Sequence, residues 1–364
     1  MQPVGHQGVA YNGNMQIRTN EPLSRHSTMR LGGVAAYATD IHTKAELTDA
    51  IQWADARTLP VIMIGEGSNV IWRDEGFPGL LLVNRLTGYE EQQEDDENWY
   101  ITVASGENWD SVVQRTVDRN LTGIEALSLI PGTVGATPIQ NVGAYGQDVS
   151  QTLVSLEAYD RQTKQLVNIA AADCAFGYRT SRFKTTDRGR FFITAVTFHL
   201  RQGNPLPPYY AAVQAYLDEH GIHECTPHIL REAVIAIRKS KLPDPREVAN
   251  NGSFFPNVVV DETILAQLRA VHGDVPYAPL SAGKVKLYAA WLVEQAGFKD
   301  FHDPETGMAT WAKQPLVVVN EHAQTTEQAT RFVKKITDAV QQKFHIALEQ
   351  EPELLPHASK PKSE

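Results

Sequence analysis

Gly123-Ile-Glu-Ala-Leu-Ser-Leu-Ile-Pro-Gly-Thr-Val-Gly-Ala-Thr-Pro-Ile-Gln-Asn-Val-Gly-Ala-Tyr-Gly-Gln-Asp-Val149 is neither a helix nor a strand by composition. Its five glycines and two prolines disfavour both. With Glu125 and Asp148 as its only charges, it is too apolar for a solvated loop. An irregular, buried backbone must still satisfy its N–H and C=O groups. A ligand rich in acceptor oxygens, such as a pyrophosphate, would serve, and glycine lets a backbone approach it closely.

A second glycine turn lies upstream, Gly65-Glu-Gly-Ser-Asn69. Thr43 and Glu46 have capping-box spacing for a helix to about Arg57, with Leu47, Ile51 and Ala54 on one face. An apolar strand over 61–64 then runs into the turn, and a second apolar run, Val70-Ile-Trp72, leaves it. The helix precedes the turn, so the rule that puts pyrophosphate on a following helix N-terminus does not apply. An ordinary hairpin turn is the alternative reading.

The chain has 364 residues, 42% hydrophobic and 21% charged, which suits two or three globular domains. A net charge of −10 argues against nucleic acid as the main partner. Two cysteines, Cys174 and Cys225, imply no disulfide framework and fit a reducing cytoplasm. No signal peptide or membrane span is expected. Residues 1–20 read as a flexible lead-in, and the tail from His357 as disordered.

Farther along, the acidic run 90–98 reads as a solvated hairpin or edge, followed by a strand near 100–103 and an amphipathic helix over 109–120. Strands are expected at 153–159, 165–169 and 190–200. Phe176-Gly-Tyr-Arg-Thr-Ser-Arg-Phe-Lys184 interrupts them with clustered basic and aromatic residues. His220, His223, Cys225 and His228 come near a metal-ligand spacing, but Thr226-Pro227 is better explained as the start of a helix over 228–239. Asn250-Asn-Gly-Ser-Phe-Phe-Pro-Asn257 is a further glycine turn. An apolar helix is expected over 285–296, a buried strand over 315–320, and a helix opened by Thr325 and Gln328 with Phe332, Ile336 and Val340 on one face. The acidic run 348–354 reads as strand-like.

Taken together, Gly65-Glu-Gly-Ser-Asn69, Ile130-Pro-Gly-x-x-Gly-Ala-x-Pro-x-Gln-Asn-x-Gly-Ala-Tyr-Gly146, Phe176-Gly-Tyr-Arg179 and Gly252-Ser-Phe-Phe255 resemble one family. It is the UDP-N-acetylenolpyruvoylglucosamine reductases of peptidoglycan synthesis, MurB type. Lys286-Leu-x-Ala-Ala-Trp-Leu292 and Glu351-Pro-Glu353 extend the match, and the segment around Tyr210 is similar to the longer, type I branch. The resemblance implies an α+β fold: a two-part FAD-binding domain of the vanillyl-alcohol-oxidase-like type and a smaller α+β substrate-binding domain. Residues 16–85 with 341–356 and residues 86–224 would form the two FAD-binding parts, 225–340 the substrate domain, and 1–15 and 357–364 flexible termini. The activity implied is UDP-N-acetylmuramate dehydrogenase: NADPH-dependent reduction of UDP-N-acetylglucosamine enolpyruvate to UDP-N-acetylmuramate, with non-covalent FAD. It would serve cell-wall synthesis, shape and division as a cytoplasmic monomer with no metal.

By the same resemblance, Ser253 is the proton donor, Arg179 the substrate-carboxylate partner beside Tyr178, and Glu353 the carboxylate that completes the site. FAD would be held by Gly65, Glu66, Gly67, Ser68 and Asn69, and by Ile130, Pro131, Gly132, Gly135, Ala136, Asn141, Gly143, Ala144 and Gly146. The substrate would meet Tyr145, Tyr210, Lys241, Asn257, Lys299 and Gln314. Glu351 stands as the alternative to Glu353, and Tyr209 to Tyr210. Pro256, Val258 and Trp311 depart from the family pattern and alter the substrate loop. A turn role for Ser253 and solvated surface roles for the lysines are the plain readings of the residues alone. An FAD oxidase of the same fold would want a base near the flavin and often a flavin-linked His or Cys. Neither glycine stretch contains a histidine or a cysteine.

Overall fold

The computed structural model describes residues 9–12 and 15–357. The expectations for residues 1–8 and 358–364 lie outside the described residues. The chain forms two compact units. The first takes the described residues up to Glu21, then Ala35–Glu66 and Pro78–Ser240; the second takes Pro22–Val34, Gly67–Phe77 and Lys241 onward. The sequence reading starts its substrate domain at residue 225, whereas the last segment of the second unit starts at Lys241.

Two sheets build the first unit. One orders its strands Val9–Asn12, Met15–Pro22, Val34–Ile41, Phe77–Asn84, Val61–Ile64, and the last two are parallel. Met15 and Ile17 are buried, so residues 15–20 are strand and not part of a flexible lead-in. The helix Lys44–Asp55 covers this sheet with Leu47, Ala50, Ile51 and Ala54. Thr43 accepts from the Glu46 N–H, while the Glu46 carboxylate reaches past it to the His42 N–H. The other sheet is antiparallel, ordered Gln165–Ala170, Leu153–Asp160, Phe191–Gln202, Asn98–Ala104, Tyr89–Gln93. The acidic run is the exposed end of its last hairpin, as charge repulsion and solvation favour. Three helices complete this unit: Trp109–Asp118, near the expected bounds, Ala211–Glu219, which the sequence reading did not foresee, and Pro227–Lys241. Val213 and Leu217 pack against Leu230, Ala233, Val234 and Ile237.

In the second unit, Ala249–Ser253, Gln314–Asn320, Met308–Trp311 and His302–Asp303 form one sheet. Val258–Asp261, Lys284–Leu287 and Tyr277–Pro279 form another. The 285–296 expectation needs correction: it is a strand, Lys284–Leu287, followed by a helix, Ala289–Gln295. Val285 and Leu287 are buried and Lys284 is exposed, a period-two pattern that pays off once two partner strands are present. The 348–354 run is extended only at Glu353–Leu355, which pairs in parallel with Val70–Trp72. That pairing also removes the hairpin alternative for residues 65–69, because the flanking strands 61–64 and 70–72 have different partners. The helix Thr326–Phe344 carries a complete capping box at Thr325 and Gln328, and buries Phe332, Ile336 and Val340.

Candidate active site

In the first unit, the stretch 123–149 is irregular, as expected; many of its N–H groups donate to backbone carbonyls, and acidic side chains take three more. Glu125 is fully buried and accepts from the Gly123 N–H at 2.6 Å and the Thr122 hydroxyl at 2.7 Å. Asp110 accepts from the Leu129 N–H at 2.5 Å. Glu66 accepts from the Gly132 N–H at 3.1 Å and from the Asn108 amide at 2.9 Å. So Glu66, in one glycine loop, is bonded directly to the other. The loops also touch at Gly65, where a Cβ would lie 2.2 Å from Thr133 Oγ1. Only glycine fits there.

Residues Gly143 to Asp148 form a two-residue hairpin with Tyr145 and Gly146 at its tip, φ +48° and +88°. Positive φ at both positions suits the tight turn that matches strand twist. Gln147 fixes the hairpin from behind: its amide nitrogen donates to Glu125 at 3.1 Å and its oxygen accepts from the Ala126 N–H at 2.8 Å. Arg179, at φ +54°, donates through Nη2 to the Gly143 carbonyl at 2.5 Å and lies 5.2 Å from the Tyr178 ring centroid. Tyr210 meets Tyr145 edge to face at 5.6 Å. Asn141 is buried and uses its amide on Ser150 and on the Gly177 carbonyl next to Tyr178.

Arg238 completes this group, and the sequence reading missed it. Its guanidinium interacts electrostatically with the Tyr145 phenol, and its Nε is buried without a hydrogen-bond partner. Burial pushes the Arg238 pKa down, with Tyr145 and Asp110 opposing. Burial pushes the Tyr145 phenol up, aided by Tyr210 and opposed by Arg238. The phenol therefore stays neutral near pH 7. The helix that carries Arg238 is anchored by Arg231, whose Nη1 and Nη2 reach Asp110 at 2.6 and 3.0 Å. Nothing in the sequence marks Arg238, because a helical arginine is usually solvated.

The second unit gathers another set of the expected residues. Three segments close on one another through two main-chain bonds and one side-chain bond. The Glu353 N–H donates to the Asn69 carbonyl at 2.9 Å, the Glu351 N–H to the Phe254 carbonyl at 2.9 Å, and the Asn251 amide to the Ser68 carbonyl at 3.1 Å. Ser253 is exposed and lies at the end of Ala249–Ser253. Asn250 pairs with Val319 and Ser253 with Val317, so this strand holds one extra residue. Gly252, at φ +69°, sits in the bulge, with its N–H on Asn250 Oδ1 at 2.8 Å. A bulge of this kind re-aims the next side chain. Phe254 and Phe255, both buried, anchor the chain just beyond Ser253.

Glu353 and Glu351 differ in surroundings. The Glu353 carboxylate is 3.2 Å from His357 Nε2, and its backbone joins the strand beside Val70. Asn257 accepts from the Ala289 N–H at 3.1 Å and so caps the start of a helix. Lys299 pairs with Glu294 at 2.8 Å on an exposed turn. Lys241 is exposed at the end of its helix, and Gln314 accepts from the Leu316 N–H. Tyr209 is the more enclosed of the two tyrosines, with its hydroxyl on the Pro205 carbonyl, while Tyr210 faces outward. Cys225 is buried near Tyr209, His220 stacks on Tyr216, and His228 lies 3.6 Å from Asp118. Among the described residues no group of His, Cys, Asp and Glu is arranged to hold a metal ion.

Comparison with known proteins bears on both units. The FAD binding domain family matches residues 35–168. The family described as UDP-N-acetylenolpyruvoylglucosamine reductase, C-terminal domain, matches residues 244–355. A UDP-N-acetylenolpyruvoylglucosamine reductase of Burkholderia ambifaria is 39% identical over 346 residues, covering 93% of this chain and 97% of its own. One from Chromobacterium violaceum is 37% identical over 342 residues, covering 94% and 99%. Among solved structures, the reductase of Thermus caldophilus superposes with a TM-score of 0.66 at 19% identity, covering 94% of this chain and 99% of its own.

Proposed function

The chain belongs to the UDP-N-acetylenolpyruvoylglucosamine reductase family, and from that membership we propose how its own residues carry the reaction. It is an NADPH-dependent flavoenzyme, a UDP-N-acetylmuramate dehydrogenase. It reduces the enolpyruvyl group of UDP-N-acetylglucosamine enolpyruvate in peptidoglycan synthesis. The two glycine loops fit FAD: they approach at a point only glycine tolerates, and Glu66 locks one to the other. In that cradle we assign contact with FAD to Gly65, Gly67, Ser68 and Asn69 and to Ile130, Pro131, Gly132, Gly135, Ala136, Gly143, Ala144 and Gly146. Glu66 and Asn141, whose polar groups are turned on the protein, support it from behind. Residues 16–85 with 341–356 and 86–224 are assigned to flavin binding, and 225–340 to the substrate.

Reduction of a double bond conjugated to a carboxylate requires a hydride at one carbon, stabilisation of charge on the carboxylate, and a proton at the other carbon. When bound, FAD supplies the hydride chemistry. Arg179 binds the substrate carboxylate: its planar fork suits bidentate contact, and its bond to the Gly143 carbonyl fixes the plane of the guanidinium. Tyr178 packs beside it. Ser253 Oγ delivers the proton, and Glu353 completes the hydrogen bonding around the carbon that receives it. Tyr145, Tyr210, Lys241, Asn257, Lys299 and Gln314 bind the remainder of the substrate, the lysines suiting its diphosphate.

The observation that carries these roles is the ring of hydrogen bonds joining Ser68–Asn69, Asn251–Phe254 and Glu351–Glu353, two between main-chain groups and one from the Asn251 side chain. Glu353, which follows the proline, is taken as the carboxylate with Glu351 as the alternative; both bond to Asn69, Glu353 through its N–H and Glu351 through its carbonyl. The test is Ser253→Ala. Its flavin is expected to be bleached by NADPH at the wild-type rate and to remain bleached on addition of the enolpyruvyl sugar. Prompt recolouring would remove Ser253 as the donor. We further propose a cytoplasmic monomer that does not use nucleic acid. Net charge −10 supports the last point, and no described helix is long and apolar enough to cross a membrane.

A further inference from the structure

Asn251 precedes Gly252 and Ser253, and the sequence presents it as one more turn former. In the structure it is a buried junction, 6% exposed. Its Nδ2 lies 3.0 Å from Thr28 Oγ1, 3.1 Å from the Ser68 carbonyl and 3.4 Å from the Val70 carbonyl. Its Oδ1 is buried with no hydrogen-bond partner. Two of the three neighbours of the nitrogen are carbonyls, which cannot donate, so the reverse orientation would set oxygen against oxygen. The acceptor is left unsatisfied so that the donor can be shared.

Thr28 binds the same two segments with its other groups. Its N–H donates to the Gly67 carbonyl at 3.2 Å, and its carbonyl accepts from the Asn250 N–H at 3.1 Å. Ser27 adds a bond from its hydroxyl to the Val70 carbonyl at 2.5 Å. The short Ser27–Thr28 segment thus lies as a splint along the loop 67–70, with the bulged strand fastened to it. All these residues belong to the second unit. The bulge places an extra residue next to Ser253 and breaks the ladder there, so the strand pairing alone leaves that hydroxyl weakly located.

We propose that Asn251, seated on Thr28, is the positioning residue that sets the Ser253 hydroxyl relative to the loop 67–69. Asn251 touches neither substrate nor cofactor in this role; it acts through the strand it fixes. The inference rests on the assignment of Ser253 as proton donor. It separates the two halves of the cycle, because only reoxidation by substrate uses that proton.

The experiment compares Asn251→Ala, Thr28→Val, the double variant and Ser253→Ala in stopped-flow. Reduction by NADPH and reoxidation by the enolpyruvyl sugar are followed separately, and flavin affinity is measured by fluorescence quenching. For Asn251→Ala, reduction and flavin affinity are expected within about twofold of wild type, with reoxidation slowed by about tenfold or more. Thr28→Val is expected to show the same split more weakly. The double variant is expected to be no slower than Asn251→Ala, since both changes break one junction. Reoxidation within about twofold of wild type, or reduction slowed as much as reoxidation, overturns the proposal. If Asn251→Ala does not fold, Thr28→Val decides by the same split. Normal reoxidation in Ser253→Ala would instead overturn the role of Ser253 itself, whatever Asn251→Ala does.

Discussion

Tyr145 holds a left-handed backbone conformation at φ +48°, a state that costs a non-glycine residue about 1–2 kcal/mol. Tyr210 packs against its ring in a T-shaped pair at 5.6 Å, and Arg238 interacts with its phenol. Asp110 supports this arrangement at one remove, by anchoring both Arg231 and the Leu129 N–H. Burial raises the Asp110 pKa, but the Arg231 hydrogen bonds and the Leu129 N–H outweigh it, and the carboxyl lies below its ordinary 3.8. A depressed folded pKa gives stability that is fully present above the unfolded value and lost as pH falls through the folded one. The stability gap between wild type and Asp110→Asn, measured by urea unfolding, is therefore expected to be flat from about pH 5 to 8 and to shrink below about pH 4. A gap that widened in acid would show that Asp110 is not held as a paired carboxylate.

Among elements, the two glycine loops are the sharpest case of sequence dictating shape. Gly65 against Thr133 leaves no room for a methyl group, and overpacking of this kind costs about 1–3 kcal/mol. Gly65→Ala is expected to lower the thermal midpoint and to lose FAD on gel filtration. Adding Thr133→Ala is expected to restore both, because the nearest atoms a Cβ would meet all belong to the Thr133 side chain. If the double variant stays colourless, Gly65 serves the cofactor by some means other than space. The 284–296 segment teaches the opposite lesson. Its apolar run suits either period, and the strand at 284–287 is selected by neighbours at 258–261 and 277–279 that are distant in sequence.

For the whole molecule, the FAD binding domain implies a ligand that binds the folded chain. A ligand that binds only the folded chain stabilises it by mass action, by about 2.7 kcal/mol at a hundredfold excess over its Kd. Adding FAD to the flavin-stripped protein is expected to raise the thermal midpoint, with a shift that grows with the logarithm of FAD concentration. No shift would contradict binding to the native state. Each unit has its own apolar core, so differential scanning calorimetry also reads whether both respond.

Local chemistry in the sequence was sufficient for much of this protein. Glycine spacing specified both loops, Thr43 and Thr325 specified helix starts, and period-3.6 and period-2 apolar patterns specified most helices and strands. These signals are legible because each depends on residues within one turn or one strand. The motifs that resemble the family also named Ser253, Arg179 and Glu353. Tertiary structure decided whatever depends on partners remote in sequence. It made strands of residues 15–20 and 284–287, and paired 353–355 with 70–72. It also turned an ordinary arginine and a turn-forming asparagine into buried junctions at Arg238 and Asn251. Burial of a polar side chain is a property of what surrounds it, and the surroundings of Asn251 come from residues 28, 68 and 70, which its own stretch of sequence does not contain.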